Sequence, residues 1–155
     1  MRGALRKTDN FSWVIRGKLA GSARPENEAQ LRWLRDKGIK ALVCLNKERP
    51  LDDKQVRELG FEYLFLPVKD FTAPTQDDVV EFVRFAQEMI GHSMPVVVCC
   101  GAGIGRTGTM CAAFLVSLCF SPEEALNKIE VMRGVGVESD SQREAVSEYA
   151  RKLGK

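Results

Sequence analysis

Residues 94–100, MPVVVCC, form an unbroken apolar run. β-Branched side chains favour an extended chain, and the missing polar alternation marks a strand covered on both faces. Such a strand belongs to a largely parallel sheet with helices on either side. The rest of the chain supplies the partners. FSWVIRGKLAGSARP (11–25) predicts a short strand pair closed by glycine, then a loop. Pro25 and Glu26 open a helix that EAQLRWLRDK carries and Gly38 ends. IKALVCLN is a strand, LDDKQVRELG a short helix, and FEYLFLPV another strand. Thr75 and Asp78 match a capping box ahead of VVEFVRFAQEMI. GTMCAAFLVSLCF reads as a buried helix. Ser121, Pro122 and Glu124 start the next, ALNKIEVMR, and SQREAVSEYARKL is an amphipathic last helix. Strands alternating with helices predict an α/β fold with a mostly parallel central sheet flanked by helices. With no internal repeat or linker, residues 1–155 are expected to form a single domain.

Composition narrows the function classes. Hydrophobic residues at 45% against 28% charged suit a chain of 155 residues with a real core. A net charge of +2 is too small to argue for nucleic acid or an anionic membrane surface. Five cysteines, an odd count with two adjacent, do not make a disulfide framework and fit a reducing compartment. The N-terminal MRGALRKTDNFSW has no signal-peptide core. The longest apolar stretch, Met110–Phe120, falls well short of the roughly 18 residues of a membrane span. A soluble, cytoplasmic monomer is expected.

The valine run stops at Cys99 and Cys100, and GAGIGRTGT follows before the helix. A Walker loop needs glycine where Cys100 stands and lysine where Arg106 stands. A dinucleotide loop needs its third glycine where Arg106 stands. What remains is cysteine, five residues, then arginine, between a strand and a helix. The backbone of Gly101, Ala102, Gly103, Ile104 and Gly105, small at all but one position, can curl with its N–H groups inward. That makes an anion nest at the positive end of a helix. Arg106 can grip two phosphate oxygens with its planar fork. Cys100 lies at the base of this cradle, where inward N–H groups favour the thiolate, the nucleophilic form. Thr107 can donate a hydrogen bond to the sulfur when it leaves.

This segment resembles the signature loop, His-Cys-x5-Arg-[Ser/Thr], of the cysteine-dependent protein phosphatases. Nearly the whole chain is similar to the small, single-domain dual-specificity phosphatases. NFSWVIRGKLAGSARP resembles their N-terminal segment, LPVKDFTAPT the loop that carries the general acid, and GVESDSQREAV the later loop that helps place water. The resemblance implies roles. Cys100 is the nucleophile and Arg106 the phosphate clamp. Asp70 is the acid that protonates the leaving oxygen and then the base that activates water. Gln142 helps to position that water, and Asn46 braces the phosphate loop. Neither cofactor nor metal is implied, because Arg106 and the loop amides balance the transition-state charge. The implied partners are phosphorylated protein substrates, bearing phosphotyrosine and also phosphoserine or phosphothreonine, with no nucleic acid and no membrane. The sequence departs from the pattern in three places. Residue 99 is cysteine where the family has histidine, the acid loop reads KDF, and MRGVGVES lacks a proline before the late loop.

Three alternatives stand beside this expectation: a phosphoprotein-binding pseudophosphatase, a sulfur transferase of rhodanese type, and a phosphatase of inositol lipids or RNA 5′ ends. Intact Cys100, Arg106 and Asp70 argue against the first, and Asp70 with the RTG continuation against the second. Cys44, Cys111 and Cys119 are expected in the core, Trp13 and Trp33 in core or edge packing, and His92 at the surface. Lys47, Lys69, Arg24 and Arg49 can rim the pocket, with a solvated surface as the default.

Overall fold

The computed structural model describes residues 7–154, so the first six residues of the N-terminal stretch lie outside it. In chain order the strands are β1 (Ser12–Ile15), β2 (Leu19–Ala23), β3 (Ala41–Asn46), β4 (Glu62–Val68) and β5 (Val96–Cys100). The helices are α1 (Glu28–Asp36), α2 (Asp53–Glu58), α3 (Gln76–Gly91), α4 (Gly105–Ser117), α5 (Pro122–Arg133) and α6 (Asp140–Lys152). The sheet order is β1-β2-β5-β3-β4. β1 is antiparallel to β2, and every other pairing is parallel. The expected α/β fold is present.

β5 is the central strand, and the valine run shows why. Val96, Val97 and Val98 have no exposed surface. Each such side chain contributes about 1.5–3 kcal/mol on burial. Because successive side chains alternate across a strand, β5 feeds two cores. Val96, Val98 and Cys100 pack with residues of α3, α4, α5 and α6. Val97 and Cys99 pack with Leu31 and Leu34 of α1 and Val56 of α2. The crossover helices therefore lie on one face up to β4 and on the other from α3 onward. Such a change of side is where ligands of open α/β sheets collect, at the carboxyl ends of the strands. Asn46, Val68 and Cys100 all end their strands there.

Caps set the helix boundaries. Capping boxes start α3 at Thr75, α5 at Ser121 and α6 at Ser139. α1 begins later than its proline suggests. Asn27 caps it by accepting from the Gln30 amide, leaving Pro25 and Glu26 outside. α4 ends sooner than its apolar run suggests. The helix stops at Ser117, and Cys119 takes the left-handed conformation, φ 81°. Cys119 is therefore exposed, against the expectation of a core residue, while Cys44 and Cys111 are buried. Trp13 and Trp33 both meet Phe11 edge-to-face beside the core that holds Cys99. His92 is exposed at the end of α3. Among the described residues no helix is long and apolar enough to cross a membrane.

Candidate active site

Cys100 closes β5, and Arg106 and Thr107 lie in the first turn of α4, so the loop between them bends tightly over the strand end. Gly103 makes the bend, with φ 76°. A side chain there would meet the backbone of Ser22 and Ala23. Two carbonyls of the loop are tied down: Gly101 O accepts from Arg24 N at 3.3 Å, and Ala102 O from Asn10 Nδ2 at 2.7 Å. In a planar trans peptide the N–H opposes the C=O. Tying those carbonyls outward thus aims the amides of Ala102 and Gly103 into the loop. No side chain caps α4 and its first turn holds no acidic residue, so its terminal amides stay available to an anion.

Thr107 Oγ1 donates to Cys100 Sγ at 3.1 Å, both side chains being buried. This hydrogen bond stabilises negative charge on sulfur. Arg106 is 2% exposed, which demands partners. Its Nη1 donates to Val68 O at 2.8 Å and to Glu48 Oε1 at 3.0 Å, and its Nη2 to Glu48 Oε2 at 2.9 Å. The bidentate pair holds the fork in one orientation. It also holds the half-exposed Glu48 carboxyl below its usual range, chiefly through the hydrogen bond from Arg106.

The acid loop reaches the same guanidinium. Asp70 Oδ1 lies 3.3 Å from Arg106 Nη2 and accepts from the Phe71 amide at 2.9 Å. Thr72 bonds back to Lys69 O through both its amide and its hydroxyl. Phe71, between them, is left-handed at φ 63° and 64% exposed. Gln142 steadies this loop from the far side. Fully buried, it donates from Nε2 to Thr72 O at 3.2 Å and accepts at Oε1 from Glu138 N at 2.8 Å and Ser139 N at 3.2 Å. Its amide also packs against Gly105. The structure thus brings Cys100, Arg106, Thr107, Asp70 and Gln142 to one end of the sheet. Gln142 acts there as a strut between the acid loop and the late loop.

Asn46, Arg24 and Arg49 stand differently from expectation. The side-chain oxygen of Asn46 accepts from the Arg49 amide at 2.8 Å, so Asn46 shapes the turn that carries Glu48, while its amide nitrogen lies near Gly101. Arg24 is spent on the carbonyls of Arg49 and Pro50, and Arg49 pairs with Glu26 at 2.7 Å. Cys99 faces away from the loop. It pairs in register with Cys44 on β3, whose hydrogen bond, together with complete burial, pushes the Cys99 thiol up and keeps it neutral. Sequence reasoning missed Glu48 and Glu138. A carboxylate two residues beyond a strand that ends at the site was the available signal for Glu48. Glu138 gave none, although its carboxylate lies against Gly105. Among the described residues no group of three or more His, Cys, Asp or Glu gathers to hold a metal ion.

The family model PTP-SAK, described as the Swiss Army Knife protein, DSP-PTPase phosphatase domain, matches residues 8–151. The chain belongs to this family. As a PTP-SAK domain it is a cysteine-dependent phosphatase of the dual-specificity class, with Cys100 in the signature loop. Phosphatidylglycerophosphatase and protein-tyrosine phosphatase 1 of Mus musculus is 28% identical to this PTP-SAK domain, over 98% of this chain and 83% of that protein. Tyrosine-protein phosphatase cdc-14 of Caenorhabditis elegans is 26% identical over 69% of the chain, which spans only 16% of that longer protein. The crystal structure of Tk-PTP in the active form is similar at a TM-score of 0.85 and 29% identity, covering 92% of this chain and 97% of that one.

Proposed function

We propose that this PTP-SAK domain hydrolyses phosphotyrosine, and also phosphoserine or phosphothreonine, on proteins through a phosphocysteine intermediate. The carrying observation is the Arg106 guanidinium, which joins the phosphate loop to the acid loop through its 3.3 Å contact with Asp70. The Cys100 thiolate attacks phosphorus while the ester P–O bond breaks, and protonated Asp70 gives its proton to the leaving oxygen. Asp70, now a carboxylate, takes a proton from water. That water attacks phosphorus, the S–P bond breaks, and inorganic phosphate leaves. Thr107 steadies the departing thiolate. Arg106 and the loop amides meet the charge on the equatorial oxygens.

The charges at the mouth favour a singly phosphorylated site. Residues 101–105 carry no lysine or arginine, Arg106 is already shared with Glu48 and Asp70, and Arg24 and Arg49 are engaged elsewhere. One phosphate is accepted by the nest. Further phosphates, as on an inositol polyphosphate, find no second cation within the loop. The mouse relative's name supports a second reading, a lipid bearing a single terminal phosphate. The experiment is kcat/KM on a phosphotyrosine peptide, a phosphoserine peptide, phosphatidylglycerophosphate in micelles and an inositol trisphosphate, with EDTA present. The phosphotyrosine peptide is expected to lead. A higher value on the glycerophospholipid replaces the protein reading with the lipid one, and no turnover on any substrate refutes both.

A further inference from the structure

α5 ends at Arg133, and Gly134 closes it in the left-handed conformation, φ 76°. The guanidinium turns back under the sheet edge. Nε donates to Ser12 Oγ at 2.8 Å and Nη2 to Asn10 O at 2.7 Å. Nη1 is buried with no hydrogen-bond partner among the described residues. Gly21 of β2 makes the room. A methyl group there would fall 2.7 Å from both Arg133 Cζ and Thr107 Cγ2, so the arginine and the threonine fill the space over one glycine.

Both neighbours of Arg133 lead to the phosphate loop. Thr107 is the residue whose hydroxyl holds Cys100 Sγ. Asn10, itself left-handed at φ 55°, donates to Ala102 O and so helps to aim the loop amides. Arg133 therefore meets the loop's support twice, through Asn10 and beside Thr107 over Gly21.

A buried guanidinium with one unpaired nitrogen is costly as a mere strut. Burial works against its charge, while Cys111 and Cys100 favour it. The Cys111 thiol is pushed up to about 12 by burial, so it stays neutral and supplies no anion. The other sulfur beside Arg133 is Cys100 Sγ, held by the threonine that shares the space over Gly21. In front of Cys100 the charge of Arg106 is shared with Glu48 and Asp70, Glu138 lies against Gly105, and Lys47 and Lys69 are exposed beside them. Behind Cys100, the position before it holds a neutral thiol, Cys99, where relatives by resemblance carry histidine.

We propose that Arg133 is a positioning residue of the phosphate loop, supplying positive charge behind Cys100 and anchoring the Asn10–Ala102 brace. The proposal rests on the cysteine mechanism above but not on any particular substrate. Its test reads the thiolate directly: the rate of Cys100 alkylation by iodoacetamide against pH, followed by mass spectrometry of the full chain. Iodoacetamide is neutral, so loop affinity for anions does not enter. Arg133→Met is expected to move the profile upward by about one pH unit, a roughly tenfold slower alkylation at pH 6. Arg133→Lys keeps the charge and is expected to restore most of that rate. Asn10→Gly keeps a backbone that accepts positive φ while removing the amide. It is expected to weaken inhibition by vanadate about tenfold with little change in the alkylation profile.

An alkylation profile unmoved in Arg133→Met overturns the electrostatic role, and vanadate inhibition unmoved in Asn10→Gly overturns the brace. If Arg133→Met does not fold, Arg133→Lys carries the first arm: a rate as slow at pH 6 as that of free cysteine refutes the charge role, and a near-native profile supports it. Wild-type protein that alkylates readily at pH 6 but hydrolyses no phosphate ester refutes the proposed function and leaves this inference intact.

Discussion

Gly103→Ala is the sharpest test of how the loop is held. The residue has φ 76°, where a β-carbon costs about 1–2 kcal/mol. The added methyl also falls within 2.6 Å of Ser22 O, and it meets the Ser22 carbonyl carbon and the Ala23 nitrogen as well. All three are backbone atoms in the interior of the sheet, on β2, so the loop must give way. Overpacking of this kind adds about 1–3 kcal/mol. A total of roughly 2–5 kcal/mol lowers Tm by roughly 5–15 °C for a domain of this size. Activity suffers more, because displacing the nest by about 1 Å misaligns its amides and Cys100, costing about 10²-fold. Calorimetry gives the first number, and kcat/KM on p-nitrophenyl phosphate gives the second. Gly105→Ala is the contrast. Its φ is not left-handed, and its methyl meets side-chain atoms, the Glu138 carboxylate and the buried Gln142 carboxamide, so a smaller loss of stability is expected, arising in the late loop. Gly103→Ala with Tm within about 2 °C and kcat/KM within about twofold of the parent refutes the idea that the β2 backbone sets the loop's height.

Cys100→Ser is expected to abolish turnover while vanadate still binds, and residual hydrolysis in this variant sinks the covalent mechanism. Asp70→Asn is expected to lower kcat on phosphotyrosine peptide by about 10²-fold, with a smaller loss for a good leaving group such as p-nitrophenol. An equal loss on both substrates removes Asp70 as the acid. Glu48, whose carboxyl is held low by Arg106, stabilises the fold above its unfolded pKa of about 4.3 and loses that contribution as pH falls through the lower folded value. Glu48→Gln is therefore expected to be less stable than the parent at about pH 7 and to approach it in strong acid, as the pH falls through the lowered folded value. Urea melts in the two conditions decide it, and a stability gap that persists in acid removes the ion pair as its cause.

The residues that were legible in the sequence share one property: their signals are local. Three valines followed by Cys100 define a buried strand end. The loop to Arg106 and Thr107 needs only the small residues between them. Capping boxes at Thr75 and Ser121 need four residues each. What escaped depends on contacts between distant segments. Asn10 and Ala102 are 92 positions apart, and Arg133 and Asn10 are 123 apart. No window along the chain contains both ends of such a pair. Gly21 shows the same limit, since it reads as an ordinary strand glycine until Arg133 and Thr107 are seen to occupy its missing side chain. Cys119 failed for the opposite reason. Its apolar run continued past Ser117, but hydrogen bonding to Val116 O and Leu115 O turned the backbone there.

Gln142 carries a consequence for how such a domain diverges. One carboxamide accepts from the Glu138 and Ser139 amides, the second of which closes the capping box of α6, and donates to the Thr72 carbonyl of the acid loop. The two loops are thereby indexed to a shared reference point, so neither can gain or lose a residue alone without breaking the other's registration. Lineages that remodel substrate choice through the acid loop must then either keep an amide at this position or alter both loops in step. Insertions are free to accumulate instead at the opposite rim of the sheet, around Gly17 and Ser93, where no catalytic segment is anchored.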